Sequence, residues 1–198
     1  MAYYFLVAQL PSLAYGEAPP MSSVHFRELC AGGLSAADAA RLPHVALDPR
    51  ISDKTGTETA AGTKAAGAGA FPFIARWNEW ERALRLNLAK YRAVKMRREA
   101  PPDVPDFPAG AAAAAKAAAA MASPLEAEIF LDGARWKAIE ELQGLSYFSV
   151  NTVYAYLLKL LLVERRSRFR AEEGFSEYKA LYASIMGEAK WQEPGVLW

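Results

Sequence analysis

Residues 149–163, which read SVNTVYAYLLKLLLV, decide the fold class of this chain. Large apolar side chains recur there at spacings of three and four residues, at Val150, Val153, Tyr154, Leu157, Leu158, Leu161 and Leu162. This spacing predicts a helix over about residues 149–172. Because its apolar residues cover several sides, the helix is expected to lie at the centre of a bundle.

Two earlier segments show the same periodicity. Over residues 73–99 the apolar positions are Trp77, Trp80, Leu84, Leu88, Tyr91 and Val94. Glu81 and Arg85 are spaced to pair across one turn, and Pro101 is expected to end the helix. Residues 123–143 begin with Ser-Pro-Leu-Glu, in which serine is the cap, proline the first helical residue and glutamate the capping partner. Gly144 ends this helix.

A last helix is predicted over residues 176–189. Its apolar residues form one stripe, made of Tyr178, Leu181, Tyr182, Ile185 and Met186. The fold class expected from these segments is all-α, a helical bundle whose helices are antiparallel where the connections are short.

Other parts of the chain are less regular. Residues 2–10 have a β-rich composition in a run too short to decide between helix and a short N-terminal strand pairing. A short helix capped by Ser22 or Ser23 is expected to run to about Ala31, and Ser35 is expected to cap another that Pro43 closes. Residues 109–122 are nearly all alanine and predict either a helix or a spacer.

The expected organisation is one domain. Residues 1–51 form an N-terminal segment with short helices, and residues 52–72 form a flexible low-complexity loop. Residues 73–198 form the helical bundle, against which residues 1–51 pack.

Composition limits the classes of function. The net charge of +1 gives no strong field toward nucleic acid or acidic lipid. The single Cys30 excludes an internal disulfide and is typical of a reducing compartment. The apolar run 153–163 is shorter than the roughly 20 residues that a bilayer requires. The N-terminus has no basic region of a secretory signal. We therefore expect a cytoplasmic protein without direct membrane insertion.

No catalytic constellation is apparent. His25, His44 and Cys30 do not have zinc-site spacing. Gly62-Thr63-Lys64 does not match the order of a phosphate-binding loop, and no Gly-x-Ser-x-Gly occurs. The prediction is a protein that is not an enzyme, with no catalytic, cofactor-binding or metal-binding residue and no cofactor.

Two features are candidates for an interface. Four arginines that follow the most apolar helix could bind an acidic protein surface, phosphate or RNA, namely Arg165, Arg166, Arg168 and Arg170. The alternative is that they stabilise the C-terminus of their own helix. Trp198 is the other candidate, since a terminal aromatic residue on a Pro-Gly tail suggests a docking partner, whereas Trp77 and Trp80 are expected in the core.

Several motifs together indicate a family. The N-terminal run YYFLVAQLP (3–11), the residues PPMSS (19–23) with Phe26, the triplet DPR (48–50) and the late YLLKL (156–160) with Glu164-Arg165 resemble an uncharacterised bacterial family. That family is encoded among the subunits of V-type (A/V-type) rotary ATPases. Its place there is similar to that of the subunit called C in prokaryotes and d in eukaryotes, an all-helical funnel.

The resemblance implies a non-catalytic structural or assembly subunit. Its partners would be other V-type ATPase subunits of the shaft, ring or stator, and it would lie in the cytoplasm, peripheral at the inner membrane through the complex. The alternative function is a helical binding or adaptor module unrelated to the ATPase, including one that binds nucleic acid. The weak net charge disfavours nucleic acid as a partner.

Overall fold

The computed structural model describes residues 3–48, 72–101, 104–168 and 171–189. Eight α-helices and no strand occur within those ranges, which confirms the all-α prediction. Their bounds are α1 Tyr4–Ala8, α2 Ser23–Gly33, α3 Ala36–Ala39, α4 Pro72–Lys95, α5 Ala109–Ala120, α6 Pro124–Gln143, α7 Val150–Ser167 and α8 Ala171–Ala189, with a 3-10 turn at Leu42–His44. The alternative prediction of a short N-terminal strand pairing within residues 2–10 is wrong, because residues 4–8 form α1.

Serine side chains begin three of the helices. The hydroxyl of Ser22 accepts a hydrogen bond from the backbone N–H of His25, and Ser35 accepts one from Asp38. Ser123 accepts one from the N–H of Glu126 at 3.3 Å, as the Ser-Pro-Leu-Glu pattern predicts. At the other end of α6, Gly144 adopts the positive φ of 68° that its lack of a Cβ permits.

The C-terminus of α4 lies four residues before the predicted one. The helix ends at Lys95, and Arg97 takes a left-handed conformation with φ of 54°. The N–H of Arg98 then donates to the carbonyl of Ala93 at 2.9 Å, which closes the helix end as a Schellman motif. A backbone reversal therefore ends this helix before the chain reaches Pro101. The α3 prediction was also too long, because Pro43 lies in the separate 3-10 turn.

The chain divides into two compact units, Met1–Glu164 and Arg165–Trp198. The core of the first unit contains the α7 side chains Val153, Tyr154 and Leu157, none more than 1% exposed. The ring of Tyr154 lies 6.3 Å from that of Phe73 on α4, and the ring of Tyr156 stacks on Phe26 of α2 at 5.2 Å. The predicted central position of this helix is confirmed for the first unit.

Helices α4, α5 and α6 pack against one another. The contact face of α5 is alanine alone, at Ala111, Ala114, Ala115 and Ala118, all buried. Small side chains let helix backbones approach closely, so this segment fills its place in the core with methyl groups. The alternative prediction, that residues 109–122 form a spacer, is therefore wrong. Trp77 and Trp80, whose rings stack at 5.8 Å, are in the core as predicted.

Hydrogen bonds join the first 48 residues to α7 and the turn before it. The backbone N–H of Tyr3 donates to the carbonyl of Phe148 at 2.7 Å. The hydroxyl of Tyr154 donates to the carbonyl of Asp38, and that of Tyr156 to the carbonyl of Pro11, both at 3.0 Å. The predicted loop 52–72 falls outside the described residues except at Pro72, which begins α4. The domain organisation as a whole stays a prediction.

Candidate functional site

The predicted arginine group is only partly described. Arg165 and Arg166 occupy the last turn of α7 and are half-buried, while Arg168 is exposed in the turn that follows. The N–H of Arg168 donates to the carbonyl of Arg165 at 3.3 Å. Arg170 and Trp198 lie outside the described residues. Cations in this last turn stabilise the helix C-terminus, so part of the group has a structural role, and its role as an interface stays a prediction.

Helix α8 presents an open apolar face. All its described large apolar side chains are about half exposed or more, namely Phe175, Tyr178, Leu181, Tyr182, Ile185 and Met186. The rings of Tyr178 and Tyr182 stack at 6.2 Å, one helical turn apart. The ammonium of Lys179 lies 4.4 Å from the centre of the Phe175 ring, a cation–π contact. We call these six residues the α8 face.

The sequence identified the α8 stripe but not its exposure. Helical periodicity shows that apolar residues share a face, and it does not show what covers that face. The other long helices with such a stripe bury most of it in the first unit, apart from the exposed Val94 of α4, whereas the α8 side chains are exposed. An exposed apolar surface of this kind is typical of a protein-binding site.

A buried ion network lies inside the first unit. Glu81 has no exposed surface, and its carboxylate accepts from Arg85 Nε at 2.8 Å and from Arg135 Nε and Nη2 at 3.0 and 3.1 Å. Arg135 also donates to Asp132 at 3.1 Å, and Arg85 forms an ion pair with Asp48 at 3.0 Å. The network therefore connects α4, α6 and Asp48, which follows the 3-10 turn.

The electrostatics of the network are those of a structural element. Burial would lower the pKa of Arg135, but the charge and hydrogen bonds of Glu81, together with the charges of Asp132 and Glu128, raise it overall. The two guanidinium groups hold the Glu81 carboxylate on both of its oxygens, which suits a fixed ion pair better than proton transfer. Sequence spacing predicted the Glu81–Arg85 pair, but Arg135 is 54 residues away and no local signal points to it.

The candidate chemical groups are dispersed. Burial raises the pKa of the Cys30 thiol to about 11, so the thiol is protonated at neutral pH and a poor nucleophile. His25 is exposed, with Nδ1 3.5 Å from a carboxylate oxygen of Glu28. Within the described ranges, no group of three or more His, Cys, Asp or Glu residues could hold a metal ion.

One cleft of about 530 Å³ is lined by residues of α4 and α6 and by the chain after α4. Arg85 and Arg135 lie in its wall, but both are committed to Glu81, and Arg92 lies 3.9 Å from Glu128. The cleft therefore carries both positive and negative side chains, and its arginines do not form an anion-binding site. Among the helices that the structure describes, none has the length and apolarity needed to span a membrane.

Comparisons with known proteins found no match to a protein-family model, to a curated protein or to a solved structure.

Proposed function

We propose that this chain is a non-catalytic structural or assembly subunit associated with a V-type rotary ATPase, and that it acts through helix-face contacts with other subunits. The observation that carries the proposal is the α8 face, on which six large apolar side chains are exposed together. The association with a V-type ATPase rests on the sequence resemblance, whose motifs lie in the first 50 residues and in α7.

The spacing within the α8 face favours a helix as its partner. Phe175, Tyr178, Tyr182 and Ile185 follow one another at intervals of three, four and three residues, the pattern of a coiled-coil seam. Leu181 and Met186 flank that seam and widen it. A partner helix with its own apolar seam would bury these side chains by knobs-into-holes packing, and tyrosine rings are common anchors in such contacts.

The arginine group would act on the rate of association. Exposed ion pairs contribute roughly 0.2–1 kcal/mol each, so Arg168 and its neighbours add little affinity. Opposite charge across an interface mainly accelerates encounter. The arginine group would therefore raise the association rate with a partner that has an acidic surface. The α8 face would determine the dissociation rate.

An adaptor function outside the ATPase is the second candidate, because the α8 face suits any partner with an apolar helix. Nucleic acid as that partner is disfavoured by the net charge of +1 and by the partial burial of Arg165 and Arg166. The identity of the co-purified proteins distinguishes an ATPase subunit from an adaptor.

The test is affinity purification of the full-length tagged chain from its native cell. We expect V-type ATPase subunits in the eluate of the wild type. The double variant Tyr182→Ser with Ile185→Ser should lose them, whereas Val94→Ser, at an exposed apolar residue of α4, should retain them. Absence of ATPase subunits from the wild-type eluate would overturn the ATPase assignment. Full recovery with the double variant would overturn the role of the α8 face.

A further inference from the structure

A second apolar surface lies in the first unit, where the N-terminal helix meets the turn before α7. The backbone bond from Tyr3 to Phe148 joins the two segments, and the rings of Tyr4 and Phe148 lie 4.5 Å apart. Five exposed large side chains belong to this region, Tyr4, Phe5, Leu145, Tyr147 and Phe148. We call them the apolar platform.

The platform is large for a surface that faces water. Phe5 is 82% exposed and Leu145 is 88% exposed. Aromatic side chains offer about 150–250 Å² each, so the exposed parts of the four rings amount to on the order of 500 Å². Leu145 adds to this area. The largest apolar patch on a typical monomer is about 300–600 Å² and is often functional.

The platform is also held in place. The hydroxyls of Ser149 and Thr152 both donate to the carbonyl of Ser146, at 2.9 and 2.8 Å, and so fix the turn. The hydroxyl of Tyr3 donates to the carboxylate of Asp38, which anchors the start of α1. Side chains on a preorganised backbone lose less conformational entropy on binding than side chains on a loose loop.

The segments that form the platform carry no charge. No Asp, Glu, Lys, Arg or His occurs between residues 3 and 16 or between residues 142 and 158. Nucleic acid and acidic lipid are recognised through basic residues, which these segments lack. The occupant must therefore present an uncharged apolar surface of its own.

We infer that the apolar platform is a two-fold interface between two copies of this chain. In such an interface the same patch faces itself, so any charge near the axis would oppose its own copy. None of the five platform residues carries a charge that would cause this repulsion. Its exposed area is a large part of the roughly 800 Å² per partner of a standard stable interface. This inference does not rest on the proposed function, because it concerns another surface and a partner of identical sequence.

The test is the oligomeric state of the purified full-length chain, measured by analytical ultracentrifugation over a wide range of protein concentrations. We expect a reversible dimer. The double variant Phe5→Ser with Leu145→Ser should raise its Kd by about 30-fold or more, since truncating a central anchor typically costs at least about 2 kcal/mol. The control Val24→Ser with Phe107→Ser, at exposed apolar residues elsewhere in the first unit, should leave the Kd unchanged.

A second variant keeps the test decisive if the first one misfolds. Leu145→Lys changes a side chain that packs little within the monomer, and it places like charges across the axis. It should weaken the dimer at low salt and recover part of the affinity at high salt. A wild type that is monomeric at every concentration would overturn the inference. So would a dimer that survives both platform variants, or one that only Tyr182→Ser with Ile185→Ser dissociates.

Discussion

Helices α7 and α8 have similar length and similar patterning but opposite environments. They contain 18 and 19 residues, and each carries large apolar side chains at helical spacing. On α7, Val153, Leu157 and Leu158 have no exposed surface, whereas Leu181 on α8 is 62% exposed. An apolar stripe therefore determines that a helix forms and which face is apolar. Whether the face is buried depends on the elements that pack on it.

The largest effect is expected from removing the Glu81 carboxylate, which tests whether water is excluded from the buried ion network of the first unit. Glu81→Ala leaves Arg135 buried without its main carboxylate partner, and breaking a buried pair in this way costs about 3–5 kcal/mol. The free energy of unfolding, measured by urea denaturation, should fall by that amount. Glu79→Ala, at an exposed position of the same helix, should change it little. Equal values for the two variants would mean that water reaches the ion network.

The next prediction compares α7 and α8 directly. Leu157→Ala removes a fully buried side chain and should cost about 2–5 kcal/mol. Leu181→Ala, the same substitution on the α8 face, should stay within about 0.5 kcal/mol of the wild type. The measurement is the midpoint and slope of urea unfolding for both variants. If Leu181→Ala proves as costly as Leu157→Ala, then the α8 face is covered in solution and is not a free docking surface.

Overpacking at α5 should have a smaller effect. Ala115 is fully buried against neighbouring helices, so Ala115→Leu forces extra methyl groups into a close contact and should cost about 1–3 kcal/mol. Ala117→Leu, two residues along on the exposed side, provides the control and should be nearly neutral. A neutral Ala115→Leu, observed by thermal unfolding, would show that α5 packs loosely and resembles the spacer that the sequence left open.

The smallest effect concerns the dependence of stability on pH. Burial would raise the pKa of Asp38, but hydrogen bonds from Tyr3 and Ser35 and the charge of Arg41 lower it overall. The pKa of Asp38 in the folded protein is therefore lower than the value of about 3.9 expected for Asp in the unfolded chain. The resulting stabilisation is complete well above pH 4 and is lost as the pH falls through the folded-state pKa.

Asp38→Asn should consequently cost on the order of 1 kcal/mol at pH 7, and this difference from the wild type should shrink as the pH falls below about 4. Urea unfolding at a series of pH values gives the comparison. A difference that is constant from pH 7 to pH 3 would show that the Asp38 carboxylate does not stabilise the fold through its charge.

Local signals predicted the helices well. The capping serines Ser22, Ser35 and Ser123 begin the helices that they were expected to begin, because a hydroxyl that accepts a backbone N–H acts within one turn. The end of α4 was placed too far along, because a left-handed residue such as Arg97 leaves no clear mark in the sequence. Residues 4–8 could not be assigned to helix or strand, since a run of five residues has no reliable period.

Long-range features could not be predicted from the sequence. The partnership of Glu81 with Arg135, the methyl-only packing of α5 and the adjacency of Tyr4 to Phe148 all depend on which segments meet in space. The interface candidates illustrate the same limit. Charge along the chain identified Arg165 and Arg166, but their partial burial could not be read from their own pattern.

The bond from Tyr3 to Phe148 has a consequence for the order in which the chain can fold during its synthesis. The two residues are 145 positions apart, and Ser23 donates to a Glu164 carboxylate across 141 positions. At about 5–20 residues per second, roughly 7–30 s pass between the synthesis of Tyr3 and that of its partner. Throughout this interval the apolar N-terminal run has no native partner for that bond. Sequence-distant contacts of this kind also slow refolding of the complete chain. The apolar side chains of the nascent N-terminal segment are therefore exposed to aggregation for the whole of this interval.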